Sequence, residues 1–267
     1  MRNLSNATPV RERYLRRFVA TGLCFIVFAA GCLGFALLVV PATRVAPAAA
    51  RRERVRRMLG CAMRGFARFM RATGVLSYET HGVERLGRPG QLILANHPTL
   101  IDAVFLLGFA SSSNCVVKDA LARNALTRWT VAAAGYVSNS PTDRMIESAA
   151  SALRDGQSVI MFPEGTRTVP GRPLQFHRGA AAIAIRAAAV VTPVHIECRP
   201  PTLAKSDPWY RIPERRAHLA FRTGADLDPE PFRRSAPAPI AARAFNEELL
   251  RIFTTECTLG RPIGRVC

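Results

Sequence analysis

The chain has 267 residues, 49% of them apolar, and a formal net charge of +18. That length admits one good-sized domain plus an appendage, and the apolar share excludes a disordered chain. Seven cysteines, odd in number, scattered and without a CxxC pair, exclude a disulfide framework and a zinc site and fit free thiols in a reducing compartment.

Of the 37 basic residues only Lys118 and Lys205 are lysine. On charge alone, basic patches suit anionic lipid headgroups, an acidic carrier protein or nucleic acid equally well. Nucleic acid is the weakest of these, because the chain has no zinc spacing, no aromatic RNP-like stretch and no helix-turn-helix pattern. A basic membrane-anchored binding protein without activity is the alternative from another class.

In chain order, residues 1–17 read as a polar tail. Residues 18–40 carry no charge, are long enough to cross a bilayer once as a transmembrane helix, and close at Pro41. A cleaved signal peptide is the rival, though its apolar region would be shorter. Across 51–73, Val55, Leu59, Ala62, Phe66 and Phe69 recur at spacings of four and three, with Arg52, Arg56, Arg57, Arg64, Arg68 and Arg71 on or near the other face. This pattern fits a basic amphipathic helix in a membrane interface, or a plain helix packed on the domain.

From residue 75 the chain alternates. Strands are expected at 92–95, 115–118, 136–138, 158–162, 190–196 and 218–222, and helices at 100–109, 120–133, 142–154, 178–189 and 240–255. Prolines mark loops at 199–215 and 229–239. Alternation of this kind predicts an α/β domain over 75–257, with a largely parallel sheet flanked by helices.

The stretch QLILANHPTLIDAVFLL, residues 91–107, reads as a buried strand that stops at Asn96-His97-Pro98 and releases the chain into an apolar helix. Strand ends of this kind are where α/β sheets put chemistry. His97 and Asp102 are five residues apart, so they meet only if the chain folds back through the Pro98 turn. The carboxylate would then hold one imidazole nitrogen while the other faces substrate, a general base with its orienting acid. A chance pair is the bland alternative. The second expected strand end runs into Pro163-Glu164-Gly165-Thr166-Arg167-Thr168. There Arg167 can bind an anion, and Glu164 can take a hydroxyl proton or hold the arginine; a capped turn with a surface ion pair is the alternative.

Together NHPTLID and FPEGTRT resemble the lysophospholipid acyltransferase family, whose type member is 1-acylglycerol-3-phosphate acyltransferase. His97 and Asp102 match its catalytic pair. Glu164, Gly165, Thr166 and Arg167 match its acceptor-binding block. Lys118 matches a lysine placed near the acceptor phosphate. Gly135-Tyr136-Val137 and Val191-Thr192-Pro193-Val194 match two further blocks, but Ser138 and Asn139 stand where the family commonly has an arginine. The chain also resembles the subgroup that accompanies aryl-polyene pigment lipid pathways, whose acceptor need not be lysophosphatidate.

The resemblance implies acyl transfer from an acyl carrier protein or coenzyme A thioester to a lipid hydroxyl, without cofactor or metal. It implies partners among membrane lipids and a place at the bacterial inner membrane, with the site facing the cytoplasm. His97 would be the base, and backbone N–H groups after Pro98 the oxyanion donors. A covalent serine mechanism is not indicated, since no Gly-x-Ser-x-Gly elbow occurs. His81, His177, His195 and His218 read as structural or surface residues.

Overall fold

The computed structural model describes residues 8–43, 47–169, 171–205 and 207–259; residues 1–7 of the expected tail, and Arg44, lie outside these. Strand β2 (Gln91–Ala95) is buried at every position. Leu92 and Leu94 enter one apolar cluster with Met145, Ala149 and Phe245, while Ile93 and Ala95 enter another with Phe105 and Ile196. A strand covered on both faces must be apolar throughout, which is why residues 92–95 form an unbroken apolar run.

β2 lies between β5 (Val159–Met161) and β6 (Val190–Arg199), parallel to both. β3 (Asn114–Val117) pairs with β5, and β4 (Val137–Ser138) with β3, again in parallel. Beyond β6, β7 (Ala217–Thr223) runs antiparallel and carries β1 (Leu76–His81) parallel to itself. The described residues thus form one seven-stranded sheet of order β1-β7-β6-β2-β5-β3-β4. Its five co-directional strands, β2 to β6, present their C-terminal ends at a single edge, the place where such sheets bind ligands.

The long helix α1 (Thr8–Gly34) begins inside the expected polar tail and continues through a π-turn (Phe35–Val39) into the short α2 (Val40–Ala42). Among the described residues, Tyr14–Ala42 is the one segment long and apolar enough to cross a membrane. Its outer face leaves Leu15, Val19, Ile26, Leu33 and Leu37 exposed. Its inner face packs on the domain, with Phe28 against Phe66 at 5.4 Å.

Helix α3 (Ala48–Ala72) lies along α4 (Asp102–Phe109). The two approach so closely that a Cβ on Gly60 would sit 2.2 Å from Ser111 Cβ. Two assignments of face change here: Ala62 is exposed, and Arg56 is buried. Arg56 Nε donates to Ser112 O at 3.0 Å and its Nη1 to Ala134 O at 3.1 Å, so its charge is spent on two carbonyls instead of solvent.

Three further departures have local causes. The helix expected at 120–133 is two, α5 (Asp119–Arg123) and α6 (Arg128–Ala134). Asn124 turns extended and its side chain accepts the Leu126 N–H at 2.9 Å, competing with the helix ladder. Helix α7 (Thr142–Arg154) and α8 (Gly179–Ala187) fall where expected, but α9 (Glu230–Ser235) forms in the expected proline loop, before α10 (Ala238–Leu259). Pro229 and Pro231 sit at the cap and first turn of α9, where a missing N–H costs nothing. β1 was not among the expected strands, because as a sheet edge it buries only Leu76 fully.

Candidate active site

Asn96, the first residue after β2, is buried. Its Nδ2 donates to Ile196 O and its Oδ1 accepts from Ile196 N, both at 2.8 Å. This side-chain bridge to β6 ends the ladder of β2 and turns the chain out at His97. Beyond Pro98, Thr99 N–H donates to Asp102 Oδ2 at 2.7 Å and Thr99 Oγ1 to Asp102 Oδ1 at 2.5 Å, closing the turn that starts α4. Asp102 is fully buried. The fold-back brings His97 Nδ1 within 2.8 Å of Asp102 Oδ2. With the carboxylate ionised, Nδ1–H donates to it and Nε2 carries the lone pair. Nε2 has no hydrogen-bond partner among the described residues.

Burial pushes the Asp102 carboxyl above the usual range, while donation from His97 and Thr99 pulls it back. Phe162 stacks on the imidazole, with centroids 4.1 Å apart and planes 21° apart. Cys198, on β6, is not poised as a nucleophile: burial pushes its thiol up to about 12.

The second motif holds the first by its backbone. Glu164 Oε1 accepts from His97 N–H at 3.1 Å and from the Thr168 hydroxyl at 2.6 Å. Thr168 Oγ1 also lies 3.1 Å from His97 N, and Thr168 N–H donates to His97 O at 2.7 Å. Burial raises the Glu164 carboxyl above the usual glutamate range, opposed by the Thr168 hydroxyl and the His97 N–H. Gly165 adopts φ +62°, and a Cβ there would meet His177 Cδ2 at 3.0 Å, so this position needs glycine on both counts. Thr166 is half-buried in the same turn.

Arg167 does not pair with Glu164, as either sequence reading allowed. Its Nη1 donates instead to Leu203 O and Ala204 O, both at 2.8 Å. Lys118 is exposed at the start of α5, at the same sheet edge. Where the family commonly has an arginine, Asn139 Oδ1 accepts from Asp119 N–H at 3.0 Å and Ser138 Oγ donates to Asp119 Oδ1 at 3.3 Å. Those side chains finish α5 and bring no charge.

The oxyanion donors expected after Pro98 are engaged elsewhere. Thr99 N–H is taken by Asp102, Ile101 N–H by Thr99 Oγ1 at 3.3 Å, and Leu100 N–H by Leu203 O at 3.2 Å. Thr99, Phe162 and Thr168 are the site residues that sequence reasoning missed. The threonine three residues before Asp102, a helix-start pattern, is the signal that could have found Thr99.

Leu100 and Ile101 also border an apolar cavity of about 320 Å³. Its walls come from α1 (Phe25, Phe28), α3 (Met63, Phe66) and the loop after β6 (Leu203, Ile212). Cys115 lines it as well, its thiol pushed up to about 12 by burial.

Residues 77–197 match the family model described as Acyltransferase. The chain is 27% identical over 130 residues to 1-acyl-sn-glycerol-3-phosphate acyltransferase of Pseudomonas aeruginosa, covering 46% of this chain and 51% of that one. It is 28% identical over 109 residues to the chloroplastic 1-acyl-sn-glycerol-3-phosphate acyltransferase LPAT1 of Arabidopsis thaliana, covering 38% of this chain and 30% of that one. The matches thus span about half the length of the bacterial relative and less of the plant one. The crystal structure of the 1-acyl-sn-glycerophosphate acyltransferase PlsC from Thermotoga maritima shares the fold, with a TM-score of 0.67 and 21% identity over 96% of this chain and all of that one. Motifs, family model and relatives thus agree in likening residues 77–197 to the acyltransferases.

Proposed function

We propose that the chain is a membrane-associated O-acyltransferase. It moves a fatty acyl group from a thioester of acyl carrier protein or coenzyme A to the hydroxyl of a lysophospholipid such as 1-acylglycerol-3-phosphate. The observation that carries this reading is the pair of half-buried His97 and buried Asp102, the imidazole Nε2 without a partner among the described residues, close in the chain to residues that border an apolar cavity.

An alcohol is a weak nucleophile at neutral pH. His97 Nε2 takes the hydroxyl proton as the oxygen bonds to the thioester carbonyl carbon, and Asp102 steadies the imidazolium that forms. The tetrahedral intermediate collapses, the C–S bond breaks, and the departing sulfur takes the proton back from His97. The cavity suits the acyl chain, because burying methylene groups there stabilises binding by about 0.8 kcal/mol for each. Lys118 and Arg167 are the cations at this sheet edge for an acceptor phosphate. The uncharged Ser138 and Asn139 favour a second reading, an acceptor held by fewer charges or with no phosphate at all.

The test is acyl transfer in membranes carrying the wild type, His97→Ala or Asp102→Asn, with products read by lipid mass spectrometry. His97→Ala should lower turnover about a thousandfold or more while the protein still accumulates, and Asp102→Asn should keep a small remainder. Wild-type turnover by His97→Ala would overturn the mechanism. Faster wild-type turnover of a matched neutral alcohol than of a lysophosphatidate would favour the second reading.

A further inference from the structure

The segment between β6 and β7 passes over the apolar cavity, and Leu203 is its pinned point. The Leu203 carbonyl accepts from Leu100 N–H at 3.2 Å and from Arg167 Nη1 at 2.8 Å. The same nitrogen holds the next carbonyl, Ala204 O, at 2.8 Å. Leu203 has φ +49°, the one non-glycine residue in the left-handed region among those described. A branched side chain does not rest there without something to hold it. The consequence of that backbone is spatial: Thr202 and Leu203 line the cavity, as do Ile212 and Pro213 further along the same segment. The far part of the segment is fastened to α1, with Trp209 against Phe18 and Phe25 at centroid distances of 6.3 and 5.6 Å.

Resting on the acyltransferase reading, we infer that Arg167 is a specificity-determining residue for the acyl chain, acting by holding residues 202–204 as a fixed wall of the cavity. Its guanidinium is suited to this, because a planar charged donor can serve two adjacent carbonyls from one nitrogen. Nε and Nη2 keep no hydrogen-bond partner among the described residues. A contact with an acceptor anion through that free edge is therefore compatible with the anchoring role. A cavity discriminates chain length only if its walls do not yield, since a methylene too many must meet a surface that cannot move aside. Removing the anchor frees Leu203 to leave the left-handed region and lets the wall retreat.

The test uses the full chain as wild type, Arg167→Ala, Arg167→Lys and Leu203→Gly. The last accepts the left-handed backbone without strain and removes the side chain from the cavity. Each is given octanoyl, dodecanoyl and hexadecanoyl thioesters with one acceptor, and kcat/KM is compared across the donors. The ratio between best and worst donor should fall roughly fivefold or more in Arg167→Ala and in Leu203→Gly, and less in Arg167→Lys. Amide hydrogen exchange of residues 200–212 should quicken in Arg167→Ala and stay slow in α7. An unchanged donor ratio in both Arg167→Ala and Leu203→Gly, with only acceptor KM raised in the former, would mean that Arg167 serves the acceptor alone and would overturn the inference. If the wild type transfers no acyl group, the acyltransferase reading fails, and hydrogen exchange still decides the anchoring: equal exchange in wild type and Arg167→Ala overturns it.

Discussion

Thr168 meets His97 at three points, its hydroxyl near the N–H, its own N–H on the carbonyl, and Glu164 bridging the two. Such fastening sets the imidazole's position through the backbone. Thr168→Val should therefore lower kcat about 10–100-fold with little change in acceptor KM, and Thr168→Ser should restore most of it in the same assay. Glu164 gives a prediction in pH. Its folded-state carboxyl titrates above its unfolded value because burial disfavours the charge. Its contribution to stability is then complete below the ordinary glutamate range and lost as pH rises through the folded-state value. Glu164→Gln keeps the acceptor oxygen for His97 and Thr168 but cannot ionise. Across that rise it should lose less melting temperature than the wild type, a comparison made by thermal denaturation in detergent. His97 and Asp102 were legible because the strand-turn-helix pattern and their spacing announce them. Thr168 was not, since its partners are the backbone groups of a residue far away in sequence, and Phe162 was hidden as one more apolar residue at the end of a strand.

At the scale of elements, α3 shows what amphipathic patterning can and cannot say. The spacing of Val55, Leu59 and Phe66 marked a packing face correctly, yet it could not tell that Arg56, next to Val55, turns inward. The destination of that side chain is two carbonyls on other elements, which no periodicity encodes. Arg56→Met should cost about 2–4 kcal/mol, because it keeps the stem and leaves both acceptors unsatisfied. Arg57→Met, which breaks an exposed pair with Glu53, should change stability by less than about 1 kcal/mol. Chemical denaturation of both variants under one condition separates the two outcomes, and equal small losses would show that Arg56 is not a fastening. The strands that carry the site were legible because they are buried on both faces. β1 was less so, because an edge strand shares its pattern with solvent.

For the molecule as a whole, the apolar run read along the chain as a spanning segment, and nothing in the run disclosed its second use. Phe25 and Phe28 face the cavity, whereas Leu15, Val19 and Ile26 face outward. Deleting residues 1–45 should abolish acyl transfer by opening the cavity. It should also leave partial, salt-sensitive membrane binding through the arginines of α3. Flotation with vesicles at low and high salt checks the second part, and complete release at low salt would count against α3 as an attachment. The cavity's walls run from Arg17 to Ala217, and among the described residues β1 finds its strand partner only in β7. Helix α1, once made, must therefore wait for the last described strand, about 10–40 s at ordinary rates of synthesis. Through that interval its inner face needs some other cover, so a nascent chain is committed to a lipid or chaperone environment well before its cavity closes.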